Sequence, residues 1–304
     1  MYIAKIIYQV FNIPRILMSH REILLTNGEK SFKADLKIPD KNDGIGIILV
    51  HGAIINRKSL SRTTYSIAEY ISEKMHAPVI IPDYHVMEKT YTDPSSSIKD
   101  ISSIIETSKN YLINNYKTNK IFCFGHSMGG ILLGDIISEV PDIDAIATYG
   151  TPTSLEVDSF ILKPLINYLT SKSSNRIINL RRFLWIFDSE TRNYLETVMK
   201  NGREFQYVDY QWEYYVSFLL EALNILKNYE DKLIQWAKPV LLMFGSNDRL
   251  TYFSKRSMPD GFVNKNINVV HIPDGYHITP CREELSEIEK MNSILEFFTN
   301  ACTC

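Results

Sequence analysis

Six short apolar runs constrain this chain most: Ile45 to Val50, Val79 to Ile81, Ile121 to Phe124, Ala145 to Tyr149, Val240 to Phe244 and Val269 to Ile272. Each ends in a polar or glycine-containing turn, as strands covered on both faces do. Helical patterns lie between them, over Ser59 to Lys74, Ser97 to Asn115, Met128 to Glu139 and Glu283 to Phe298. Strand and helix in alternation predict an α/β fold: a mostly parallel central sheet with helices on both faces. Ahead of it, Glu22 to Leu25 and Phe32 to Ile38 flank Asn27-Gly28, a turn signal that predicts an antiparallel hairpin. Functional groups in such sheets gather at the carboxyl ends of the strands.

The alternation fails once, between Pro152 and Lys238. That stretch shows no convincing buried strand, reads as several helices and holds all three tryptophans, Trp185, Trp212 and Trp236. It predicts an inserted helical cap over 153–238, with the α/β core formed by 21–152 and 239–304. The cap's other aromatics, Phe183, Phe187, Tyr210, Tyr214, Tyr215 and Phe218, serve either its own small core or an apolar pocket. In the N-terminal segment, residues 1–20, apolar Ile3, Ile6, Ile7, Val10 and Phe11 form the stripe of an amphipathic helix, limited by Pro14. Packing against the body of the protein is its first reading, and a weak membrane-surface contact is the alternative.

The composition excludes several classes. Lys and Arg total 33 against 35 for Asp and Glu, a formal charge of -2, so no basic field suits nucleic acid. No apolar span is long enough for a membrane, Gln9, Asn12 and Pro14 interrupt any signal-peptide run, and a cytoplasmic protein is expected. Cys123, Cys281, Cys302 and Cys304 form no disulfide framework, and the last two read as a frayed tail. There is no H-E-x-x-H, no C-x-x-C and no phosphate-cradling glycine loop, so neither metal nor cofactor is expected. The oligomeric state is left open.

Gly125-His126-Ser127-Met128-Gly129 matches G-x-S-x-G, and it sits where a strand hands over to a helix. That context makes it a nucleophile elbow, in which serine projects from a strained turn and glycines admit the neighbouring backbone. A serine hydroxyl needs a general base, and on this architecture acid and base follow the serine in the order Ser, Asp, His. Asp248 follows the run Val240 to Phe244, and His277 lies on the loop after the next strand. His51, His76, His85, His126 and His271 fall early in the chain, beside the serine or inside a strand. Asp274 rivals Asp248 because it is close to His277 in sequence. The backbone amides of Ala53, in the turn His51-Gly52-Ala53, and of Met128 are the candidate oxyanion donors.

With these residues the chain resembles the α/β-hydrolase superfamily, and within it the monoacylglycerol lipases, lysophospholipases and carboxylesterases. His51-Gly52-Ala53 is similar to their oxyanion turn, Gly125 to Gly130 to their elbow, Leu242 to Leu250 to the acid strand and turn, and Gly275 to Thr279 to the histidine loop. Pro82-Asp83-Tyr84-His85 departs from many relatives, lacking their arginine and glycine. The resemblance implies a serine hydrolase that cleaves small acyl esters through an acyl-enzyme, with apolar chains of the monoacylglycerol or lysolipid type favoured. A peptidase, an acyltransferase or a ligand-binding protein with little turnover are the alternatives.

Overall fold

The computed structural model describes residues 19–28, 30–53, 57, 67–83, 98–140, 142–153, 159–200, 213–251, 266–278 and 284–303. The predicted N-terminal helix lies outside these residues, except that its last two positions, Ser19 and His20, already belong to a strand.

The chain opens with the antiparallel hairpin β1 (Ser19–Asn27) and β2 (Lys30–Ile38), turning at Gly28, whose φ of 60° is the left-handed value such a turn requires. There follow β3 (Ile45–Val50), α1 (Ile67–Met75), β4 (Val79–Pro82), α2 (Ile98–Tyr116), β5 (Lys120–His126), α3 (Met128–Ile136) and β6 (Ala145–Tyr149). After an insertion come β9 (Val240–Gly245), β10 (Ile267–Ile272) and α8 (Glu284–Cys302). Among the described residues these strands form one eight-stranded sheet in the order β1-β2-β4-β3-β5-β6-β9-β10. Pairing is antiparallel from β1 through β2 to β4 and parallel across the rest.

Two cores explain why the central parallel strands are apolar at most positions, whereas the edge strand β10 exposes Asn268 and His271. Ile48, Val50, Cys123, Ile146 and Leu242 face one side, against α2 and α3; Ile47, Leu49, Phe122, Ala147 and Met243 face the other, against α1 and α8. Successive side chains in a strand point to opposite faces, so each run buries alternate residues in a different layer. The mostly parallel sheet with helices on both faces is therefore the one expected from the alternation.

The insertion between the neighbouring strands β6 and β9 holds α4 (Ser159–Thr170), a 3-10 turn (Leu180–Ile186), α5 (Ser189–Lys200), α6 (Val216–Ile225) and α7 (Tyr229–Gln235). It differs from the all-helical expectation in one respect. β7 (Ile177–Asn179) and β8 (Glu213–Tyr215) pair antiparallel as a separate two-stranded sheet, too short to leave a periodic signal. Cys302 differs too: α8 continues through it, and Lys120 Nζ donates to the Ala301 and Cys302 carbonyls at 3.3 and 2.7 Å, so Cys302 is half-buried and helical and not frayed, while Cys304 lies outside the described residues. No helix among the described residues is long and apolar enough to cross a membrane.

Candidate active site

Ser127 is the single residue between β5 and α3, with φ 53° and ψ -118°, a positive φ that non-glycine residues seldom adopt. Hydrogen bonds hold it there. Its N–H donates to the Tyr149 carbonyl at 2.9 Å, and its own carbonyl accepts from Gly130 N–H and Thr151 Oγ1, each at 3.0 Å. A Cβ on Gly125 would lie 2.6 Å from Gly130 Cα, and one on Gly129 would lie 2.6 Å from the His51 carbonyl. The glycines thus let the elbow close on itself and against the turn after β3.

Strand ends bring the remaining groups to it. Asp248 follows β9 and is fully buried; His277, on the loop after β10, is almost so. His277 Nε2 lies 2.9 Å from Ser127 Oγ, and its Nδ1 lies 2.9 Å from Asp248 Oδ2. The carboxylate also accepts from Leu250 N–H at 2.9 Å and Thr251 Oγ1 at 2.8 Å. Burial pushes the Asp248 carboxyl up, but the His277 ring and the hydrogen bonds from His277, Thr251 and Leu250 outweigh it and hold the group below its ordinary value. An ionised carboxylate only accepts, so the proton of neutral His277 resides on Nδ1 and Nε2 is free to accept the serine hydroxyl.

His126 supports His277 from the elbow side. Its Nε2–H donates to the His277 carbonyl at 2.9 Å, and its ring lies 5.4 Å from that of His277. Burial, then the proximity of His277, pulls its pKa down from 6.5 to about 3, so it stays neutral in the fold. The unfolded chain takes up this proton and the folded one does not, so stability should fall as pH drops from 6.5 towards 3. Measured as Tm between about pH 5 and 6.5, above the ordinary carboxylate range, the wild type should show this slope and His126→Gln should flatten it. Equal slopes would remove His126 as its source.

The other sequence candidates are placed as follows. Ala53 and Met128 both line the cavity beside Ser127, and Met128 opens α3, where the first amides have no acceptor within the helix. The Ala53 carbonyl accepts from Tyr214 Oη. Asp274 is exposed, its N–H bonded to Ser246 Oγ at 2.8 Å, whereas the carboxylate beside the His277 ring is Asp248. His51 is buried, with Nδ1 2.9 Å from the Gly52 carbonyl.

Sequence reasoning missed three features. Arg57 is buried among Asp35, Asp83 and Glu22, tying the chain beyond Ala53 to the hairpin and to the end of β4. Burial works against its charge, but Asp83 and Asp35 hold the guanidinium pKa above its ordinary value. Thr251 braces Asp248 from three residues on. Asp188 and Thr191, at the start of α5, reach the main chain of the His277 loop: Asp188 Oδ2 accepts the His277 N–H at 3.2 Å, and Thr191 Oγ1 accepts the Ile278 N–H at 3.1 Å. Asp188-Ser189-Glu190-Thr191 reads as a helix N-cap, and that much was available from the residues alone.

Above Ser127 lies a cavity of about 110 Å³. The core contributes Ala53, Ser127, Met128, Ile131, Pro152 and Leu250 to its lining; Leu165 and Leu169 come from α4, Leu180, Phe183 and Ile186 from the 3-10 turn, Phe187 from the residue after it, and Leu219, Ala222, Leu223 and Leu226 from α6 and its end. Ser127 is the one polar residue among the described residues of that lining. Phe183 and Phe187 face the cavity, while Tyr214 and Phe218 stack on each other at 5.7 Å and Trp185 is exposed. Tyr210 and Trp212 lie outside the described residues. Among those residues no group of three or more His, Cys, Asp or Glu could hold a metal ion.

The family model described as serine aminopeptidase S33 matches residues 88–283, spanning β5 to β10, the elbow and both strand-end residues. The chain belongs to this family. As an S33 serine hydrolase it has the α/β-hydrolase fold, and solved structures match it over nearly their whole length. A thermostable carboxyl esterase from Bacillus coagulans aligns with 93% of this chain and 99% of its own, at 14% identity and a TM-score of 0.64. A monoacylglycerol lipase from Paleococcus ferrophilus aligns over 93% and 100%, at 16% identity and a TM-score of 0.63. Est1E from Butyrivibrio proteoclasticus gives 93% and 99%, 14% identity and a TM-score of 0.57. No curated protein sequence matches this S33 chain.

Proposed function

We propose that this S33 hydrolase cleaves carboxylic esters with apolar acyl chains, using Ser127 as nucleophile, His277 as general base and Asp248 as the acid that orients it. The observation that carries the reading is a serine oxygen 2.9 Å from an imidazole nitrogen, standing as the one polar residue among the described residues of an otherwise apolar cavity lining. His277 takes the hydroxyl proton as Ser127 Oγ attacks the acyl carbon, and the Ala53 and Met128 amides receive the developing oxyanion. His277 then returns the proton to the departing alcohol, leaving an acyl-Ser127. Water, deprotonated by the same nitrogen, releases the acid.

An aminopeptidase reading, which the family's description suggests, needs a group to receive a substrate ammonium. Among the described residues no acidic side chain lines the cavity, and its apolar wall suits an acyl chain better. The solved structures named as a carboxyl esterase and a monoacylglycerol lipase support the same choice. In this reading the insertion is a cap, bounded by residues 153–238, that excludes water and supplies the acyl surface. Each methylene buried there contributes up to about 0.8 kcal/mol, or roughly fourfold in kcat/KM. Across p-nitrophenyl esters, kcat/KM should therefore climb from acetyl to a medium or longer chain before it levels. A profile falling steadily from acetyl would overturn the apolar-chain assignment.

A further inference from the structure

The loop that carries His277 is held at three consecutive main-chain groups, and two of the holds come from the insertion. The His277 carbonyl accepts from His126 in the core, at 2.9 Å. Its N–H is taken by Asp188 Oδ2 at 3.2 Å, and the next N–H, of Ile278, by Thr191 Oγ1 at 3.1 Å. Asp188 and Thr191 also bond to each other: Thr191 N–H donates to Asp188 Oδ1 at 2.7 Å and its hydroxyl to Oδ2 at 2.9 Å. Helix capping needs only the first of these bonds. The second carboxylate oxygen and the threonine hydroxyl are turned to the base loop instead. Asp188, His126 and His277 are buried, Thr191 fully so, and Ile278 is half-buried. Phe187, one residue before Asp188, lines the cavity and lies 5.1 Å ring to ring from His277.

We infer that Asp188, acting with Thr191, is a positioning residue that sets His277 from the insertion, so that the base reaches Ser127 only when the first turn of α5 is docked against the loop. The inference rests on His277 being the general base. Ser127 Oγ and His277 Nε2 are one hydrogen bond apart, and displacement of a reacting group by about 1 Å can cost on the order of 100-fold in rate. Losing an acceptor for the Ile278 or His277 amide would shift the loop without touching the serine, the carboxylate of Asp248 or the acyl cavity.

The test compares Thr191→Val, Thr191→Ser and Asp188→Asn on a p-nitrophenyl ester, with kcat and KM determined separately and Tm recorded for each. Thr191→Val keeps the shape but removes the hydroxyl, and Thr191→Ser restores it. Thr191→Val and Asp188→Asn should each lower kcat by roughly 10- to 100-fold at nearly unchanged KM, with Thr191→Ser close to wild type. A fall in Tm with kcat intact, a rise in KM alone, or a Thr191→Ser variant as slow as Thr191→Val would overturn the inference and leave Asp188 a helix cap. Ser127→Ala is assayed alongside: if it retains activity, the reading of the site itself fails, an outcome distinct from failure of the positioning role.

Discussion

Ser127→Ala is expected to lose several orders of magnitude in kcat and all labelling by a fluorophosphonate, with His277→Ala losing a comparable amount and the double variant little more. The reason is geometric. The oxygen of Ser127 and Nε2 of His277 share one hydrogen bond at 2.9 Å, and in the proposed mechanism neither acts at neutral pH without the other. Residual turnover would come from the cavity and the amides at Ala53 and Met128, which both variants keep. Additive losses in the double variant would show that the two side chains act separately, and labelling that survives Ser127→Ala would place the nucleophile elsewhere.

Asp248→Asn should lower kcat on the order of 10⁴-fold, and the surroundings of the carboxylate say why. Oδ1 faces the Leu250 N–H, a donor that cannot be reversed, whereas Thr251 Oγ1 beside Oδ2 can either donate or accept. The asparagine oxygen will therefore take the Leu250 side and its NH₂ will face His277 Nδ1. Nδ1 must then become the acceptor, the imidazole proton moves to Nε2, and the nitrogen facing Ser127 can no longer receive its proton. Asp274→Asn should cost far less, since Asp274 is exposed and its φ of 53° suits asparagine. A stopped-flow or steady-state comparison of the two variants decides it: a larger loss at Asp274 would identify that residue as the acid.

The proximity of Ser127, Asp248 and His277 was legible in the residues because each follows an apolar run that reads as a strand, although the one before His277 is the half-exposed edge strand β10. Parallel strands bring such positions to one edge of a sheet whatever lies between them in sequence. The two-layer core was legible for a similar reason, since consecutive apolar residues along the central strands have to be covered on both faces. The pairing of Ile177–Asn179 with Glu213–Tyr215 was not, because three-residue strands carry no period and their partners are far apart in the chain. Asp188 was half legible. Its capping role follows from Asp188-Ser189-Glu190-Thr191, but its reach to His277 depends on how an insertion docks, which local pattern does not encode. Arg57 was hidden likewise, its partners Glu22, Asp35 and Asp83 coming from three separate strand regions.

The make-up of the cavity wall bears on how this enzyme could be re-engineered. The elbow glycines leave no room for a side chain, so a mutational library aimed there would return mostly misfolded protein. Leu165, Leu169, Leu219 and Leu223 line the cavity from helices of the insertion, so exchanges among them reshape what is accepted and spare the reacting atoms. Selectivity and chemistry can then be varied as separate modules over most of the molecule. The joint at Phe187 to Thr191 is where that independence should break down, and chimaeras that swap the insertion between homologues should keep the recipient's version of those five positions.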